Sequence, residues 1–128
     1  MKFIENPKTI LSYERETLLG SFYKIETPDG DINIIGKENA ILCLCEMLLG
    51  VADLSDSQRK KYSYLNRYQR ALLICNNERE INTIKHNLLY VYTELAKKDD
   101  ELAELLYEHY EKFDDAAHTE YSKLKAVN

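Results

Sequence analysis

Six carboxylates near the end of the chain fall on one side of a helix. At about 100° per residue, Asp100, Glu101, Glu104, Glu108, Glu111 and Asp115 share an arc of roughly 100° with no lysine between them. Leu102, Leu105, Leu106, His109 and Phe113 take the opposite side. The apolar stripe accounts for burial, whereas the acidic one needs its own account. A solvated face is the ordinary one. Against it, the like-charged pairs Glu104–Glu108 and Glu111–Asp115 each cost a helix about 0.2–0.5 kcal/mol, which an occasional lysine would relieve. The chemistry such a row can do is electrostatic recognition. Glu101, Glu104, Glu108, Glu111 and Asp115 are therefore the expected contacts to a protein partner with a basic surface.

A complementary set lies upstream. Ser55-Asp56-Ser57-Gln58 is a capping-box pattern, and the spacing predicts one helix from there to about Cys75. On it Arg59, Lys60, Arg67 and Arg70 fall within about 100° of arc, away from the inward Tyr62, Leu65, Leu72 and Leu73. Tyr64 and Tyr68 flank them beside Lys61. Cations interleaved with aromatic rings suit a phosphate backbone with bases stacked on the rings, so these six residues form the alternative, nucleic-acid-binding site. Each charged face lies opposite its own apolar stripe, so both should point outward from a bundle. They could neutralise each other between two copies, as a homo-oligomer, or on a partner.

Arg79 and His86 enclose six residues. This spacing resembles the Arg-x(4–6)-His pattern of HEPN ribonucleases, which are small helical bundles. That family often has a polar residue such as Asn directly after the arginine, where this chain has Glu80. The resemblance covers eight residues and implies Arg79 and His86 as the pair that would act on RNA.

Other chemistry finds little footing. Asp114 and His118, four apart, could hold one ion weakly, but a di-iron bundle needs two Glu-x-x-His motifs and none is present. Asp29, Asp31 and Asn33 alternate like calcium-loop ligands, yet Ile34 and Ala40 stand where Gly and Glu are required. Cys43, Cys45 and Cys75 are odd in number and set among apolar neighbours, which reads as reduced core thiols. No glycine loop to cradle phosphate, no nucleophile elbow and no nucleophile–base pair is written here. The expectation is a protein without catalytic residues, metal or cofactor.

The elements that must carry these residues are mostly helices. Asn6-Pro7 and Gly20 look like a helix start and stop, but residues 7–19 are weakly periodic and equally compatible with a strand. Phe22–Glu26 and Asp31–Ile35 around Thr27-Pro28-Asp29-Gly30 predict a β-hairpin. Ala40–Leu49 is apolar nearly all round, a buried helix ended by Gly50. After Asn76-Asn77, Glu78–Lys98 is the cleanest amphipath, with Ile81, Ile84, Leu88, Val91, Tyr92 and Leu95 at spacings of three and four. A polar turn at Lys97–Asp100 leads to a last helix toward Ala126. Residues 87–113 resemble one tetratricopeptide-like hairpin, which alone makes no solenoid. The expected fold class is mainly α with some β (α+β): a four-helix-type bundle behind a small N-terminal β-hairpin. It forms a single domain over 1–128, with 1–36 holding the hairpin and 37–128 the bundle.

Length and composition agree. A chain of 128 residues, 45% apolar and 30% charged, can build one real core. Ten Tyr against three Phe and no Trp make it tyrosine-rich, suited to shallow cores and partner surfaces. The net charge of −5 is uneven: residues 37–85 balance at +2 and residues 86–128 at −5. An acidic whole argues against nonspecific nucleic-acid binding, though not against a basic patch. No apolar run reaches bilayer-spanning length, and Met1–Pro7 lacks a signal-peptide core. The expectation is a cytoplasmic protein with no membrane partner. Lys, Asn, Ile and Tyr supply 41 of 128 residues, as in an AT-rich bacterial or phage genome. The expected function is a small non-catalytic protein–protein interaction module. In its most specific form it is a phage-encoded regulator or inhibitor that blocks a basic surface of a nucleic-acid-handling host protein. The alternative is a nucleic-acid-binding or HEPN-like ribonuclease domain.

Overall fold

The computed structural model describes residues 10–127. Three strands come first: β1 (Ile10–Thr17), β2 (Gly20–Thr27) and β3 (Gly30–Ile35), an antiparallel meander in that order. The expected hairpin is thus the β2–β3 half of a three-stranded sheet, paired from Phe22↔Ile35 to Thr27↔Gly30. Residues 10–17 are strand rather than helix; Asn6 and Pro7 lie outside the described residues. Leu11, Tyr23 and Ile25 alternate inward and are buried, the period-2 pattern of a half-buried sheet.

The two turns share one design. Thr17 Oγ1 donates to Gly20 O (2.8 Å) and accepts from the N–H of Leu19 (3.2 Å). Thr27 Oγ1 likewise donates to Gly30 O (2.7 Å) and accepts from Asp29 (3.2 Å). Both turns return through glycine, at φ +127° and +130°, where an L side chain is strained. At Gly30 the requirement is conformational only, since a Cβ there would meet nothing within 4 Å.

Five helices follow. The first, α1 (Lys37–Leu49), buries Ala40, Ile41, Leu44, Cys45, Leu48 and Leu49, and packs on the sheet and on the later helices. Gly50 ends it, and a 3-10 turn (Val51–Asp53) leads on. The single helix expected over Ser55–Cys75 is two: α2 (Asp56–Lys61) and α3 (Arg67–Ile74). Ser55 caps the first and Asn66 the second, each in a capping box, with Gln58 and Gln69 respectively. Asn66 accepts from Gln69 N (2.8 Å) and donates its own N–H to Gln69 Oε1 (2.9 Å). An N-cap residue has non-helical backbone, so a second box halts the first helix.

The antiparallel pair α4 (Glu78–Ala96) and α5 (Asp100–Val127) completes the fold. Asn77 caps α4 and Asp99 caps α5. Leu102, Leu106 and Phe113 of α5 are buried as expected, joined by Ala103 and Ala116, while Leu105 and His109 are half-buried. Sheet and helices share one cluster of buried residues. Five helices and a three-stranded sheet thus stand, among the described residues, in place of four helices and a hairpin. Among the described residues, no helix is long and apolar enough to cross a membrane.

Candidate functional site

The outer face of α5 carries the acidic row. Glu104, Glu108, Glu111 and Asp115 are all exposed, and among the described residues no ion pair joins any of them. From Glu104 to Asp115 the row covers about 16 Å of helix axis. Its four charges stand about 5.5 Å apart on average, nearer the spacing along a single nucleic-acid strand than the density of a duplex. Glu101 has another use. Its carboxylate meets Lys37 Nζ at 2.6 Å and ties the start of α5 to the start of α1. On the flank of the row, the Tyr107 ring packs at a tilt against Tyr110 (ring centroids 5.5 Å apart) and Tyr92 of α4 (5.1 Å). Tyr107 remains exposed enough to form an aromatic margin to the carboxylates.

The basic set is arranged differently from one helical face, because the chain breaks between Lys61 and Arg67. Arg59 turns back on its own backbone, donating to Ala52 O (2.7 Å) and Leu54 O (3.1 Å). Arg70 donates to Tyr62 O (3.1 Å). Arg67 pairs with Glu46 of α1 (3.3 Å) and lies over the Tyr68 ring. Tyr68 is buried, while Tyr64 stands out at 73% exposure and Lys60 is exposed. The three arginines thus serve loop carbonyls and an internal carboxylate.

Behind Arg67 lies a polar junction that periodicity does not reveal. Tyr68 Oη and His109 Nδ1 are 2.7 Å apart, linking α3 to α5. Burial, then the cations of Lys112 and Arg67, hold His109 below its ordinary pKa. Burial likewise raises the Tyr68 hydroxyl. Neutral phenol and neutral imidazole are the forms this site favours. Cys45 beside it is buried and its thiol is pushed up to about 12. Cys75 is also buried and Cys43 partly so, all three as free thiols.

Asp114 and His118, the weak ion site of the sequence reading, are occupied by protein. Asp114 bonds Lys85 Nζ at 2.7 Å, and His118 Nδ1 turns to the Asp114 carbonyl at 2.8 Å. A cation would have to displace the lysine. Among the described residues no group of three His, Cys, Asp or Glu is placed to hold a metal. Arg79 and His86 both lie exposed on α4, two turns apart along one face.

Comparison with protein-family models, with curated proteins and with solved structures gives no match.

Proposed function

We propose that this chain is a non-catalytic protein-binding module whose acidic face on α5 docks a basic surface of a partner protein. One observation carries the reading: the fold engages the arginines of the basic set and leaves the outer carboxylates of α5 exposed. Arg59, Arg67 and Arg70 are engaged internally, whereas Glu104, Glu108, Glu111 and Asp115 are exposed without an ion pair among the described residues. The adjoining Tyr107 adds an amphipathic ring of the kind enriched at interfaces. A partner surface that ordinarily meets nucleic acid fits a row of negative charge at this spacing. A phage-encoded inhibitor of a nucleic-acid-handling host protein is the specific form of the proposal, supported by the Lys-, Asn-, Ile- and Tyr-rich composition.

The test is reversal of Glu104, Glu108 and Glu111 to Lys together. With a partner purified after pull-down from the native host at low and high salt, the triple variant should associate at least about tenfold more slowly at low salt. The difference should shrink at high salt, where wild type also weakens. Full affinity in a folded triple variant would assign the row to solubility alone. The competing ribonuclease reading draws on Arg79 and His86 sharing an exposed face of α4. It requires metal-independent RNA cleavage that His86→Ala abolishes, and we expect no cleavage.

A further inference from the structure

The fold contains one completed contact of a kind that α5 presents half-built. Arg67 meets the carboxylate of Glu46 at 3.3 Å, and its guanidinium carbon lies 5.9 Å from the centre of the Tyr68 ring. One cation thus serves a carboxylate and an aromatic ring together, and both attract it: the first by charge, the second by the quadrupole of the ring.

On α5 a ring and two carboxylates stand side by side without the cation. Tyr107 follows Glu104 by three residues and precedes Glu111 by four, the spacings that make neighbours on a helix surface. All three are exposed. Among the described residues, no ion pair reaches either carboxylate and no cation lies over the Tyr107 ring. The cations nearby are placed elsewhere. Lys85 Nζ is bound to Asp114 at 2.7 Å. Lys112 sits about 140° round the helix from Tyr107, on the other flank of the row. The ring itself is braced by its tilted contacts with Tyr92 and Tyr110. A ligand that settles on it therefore has little side-chain freedom to freeze.

Resting on the docking of a basic partner at this face, we propose that the face selects arginine over lysine, with Tyr107 as the selecting residue. A partner arginine lays its guanidinium against the Tyr107 ring and donates its N–H groups to Glu104 or Glu111. The guanidinium is planar, forked and weakly hydrated, so it can stack on the ring while bonding two carboxylate oxygens. An ammonium is a compact, strongly hydrated charge that gains from the carboxylates and much less from the ring. Steering by the acidic row treats the two cations alike, so discrimination arises only on contact. At an exposed site one such ring contact corresponds to about a two- to fivefold gain in affinity.

Two labelled synthetic peptides with blocked ends test this on the full chain. One alternates four arginines with serine, and the other has lysine in the same places. Fluorescence polarisation at low salt should show the arginine peptide bound at least about threefold more tightly by wild type. Tyr107→Leu, which keeps an apolar side chain on the helix surface, should lose most of that preference. Tyr107→Phe, which keeps the ring, should retain it. Tyr107→Gln replaces Tyr107→Leu should the latter fail to fold by circular dichroism. Equal binding of the two peptides to wild type, with both lost when Glu104, Glu108 and Glu111 are reversed to Lys, would overturn the selectivity and leave the docking face standing. So would an arginine preference that removal of the ring leaves intact. Binding of neither peptide, or binding that the charge reversal leaves unchanged, would overturn the docking face and the selectivity with it.

Discussion

The Tyr68 hydroxyl and Nδ1 of His109 lie 2.7 Å apart, joining helices whose contact residues are 41 positions apart in sequence. The phenol can donate only to a neutral imidazole, and the surroundings favour that form. Burial dominates, and the positive charges of Lys112 and Arg67 add to it. His109 is thus held below its ordinary 6.5 when folded and returns to that value when unfolded.

Acid should therefore loosen the protein through this residue. Between the two pKa values the unfolded chain binds the proton and the folded chain does not, so stability rises with pH there. The contribution is complete above about pH 6.5, declines as pH falls through that value, and levels off below the folded pKa. Urea midpoints at pH 7.5 and pH 5 should show a loss in wild type that is smaller in His109→Gln. An equal loss in both would remove His109 from the account. Tyr68→Phe at pH 7.5 should cost about 1 kcal/mol, the scale of one lost hydrogen bond.

The core predictions separate two leucines that the helical pattern treats alike. Leu88 is fully buried on α4, so Leu88→Ala should cost about 2–5 kcal/mol in chemical denaturation. Leu105 is half-buried on α5, so Leu105→Ala should cost roughly half as much. A larger loss at Leu105 than at Leu88 would contradict the orientation of α5.

Arg59 should act on stability rather than on nucleic acid. Arg59→Ala removes the donors to Ala52 O and Leu54 O and should cost about 1 kcal/mol. Binding to duplex DNA at physiological salt should be weak or absent, with a salt dependence that Arg59→Ala leaves unchanged. Submicromolar binding lost in Arg59→Ala at unchanged stability would restore the basic residues as a nucleic-acid surface.

The thiols should react in a fixed order. Burial pushes Cys45 and Cys75 up to about 12, leaving almost no thiolate at pH 8. Cys43 is also raised by burial but is only partly covered. Iodoacetamide at pH 8 should label Cys43 first in the folded protein and all three thiols in denaturant, read by mass spectrometry. Early modification of Cys75 would mean that the junction between α3 and α4 opens readily.

Much of the fold was legible because its signals are local. Ala40–Leu49 reads as a buried helix, and Gly50 ends it. The spacing of Ile81, Ile84, Leu88, Val91 and Leu95 sets the inward face of α4, and all five are buried. Thr27–Gly30 reads as a turn because Pro, Asp and Gly favour its geometry in any context. The break before α3 was also written, as Asn66 three residues ahead of Gln69, but Tyr62, Leu65, Leu72 and Leu73 keep a helical spacing across it and masked it.

By itself, then, the sequence determined that the chain beyond Gly36 is mostly helical, which faces of α4 and α5 are apolar and that carboxylates line one side of α5. Periodicity, caps and turns act within a few residues and need no partner. Only the tertiary structure decided how the charges are used. Lys37 meets Glu101, Arg67 meets Glu46 and Lys85 meets Asp114 across gaps that no helical spacing encodes. It also decided that Ile10–Thr17 is a strand, since a weakly periodic segment takes its conformation from the neighbour it pairs with, here β2. The candidate site follows the same division: α5 places the carboxylates in a row, and long-range packing decides which of them stay out of ion pairs among the described residues.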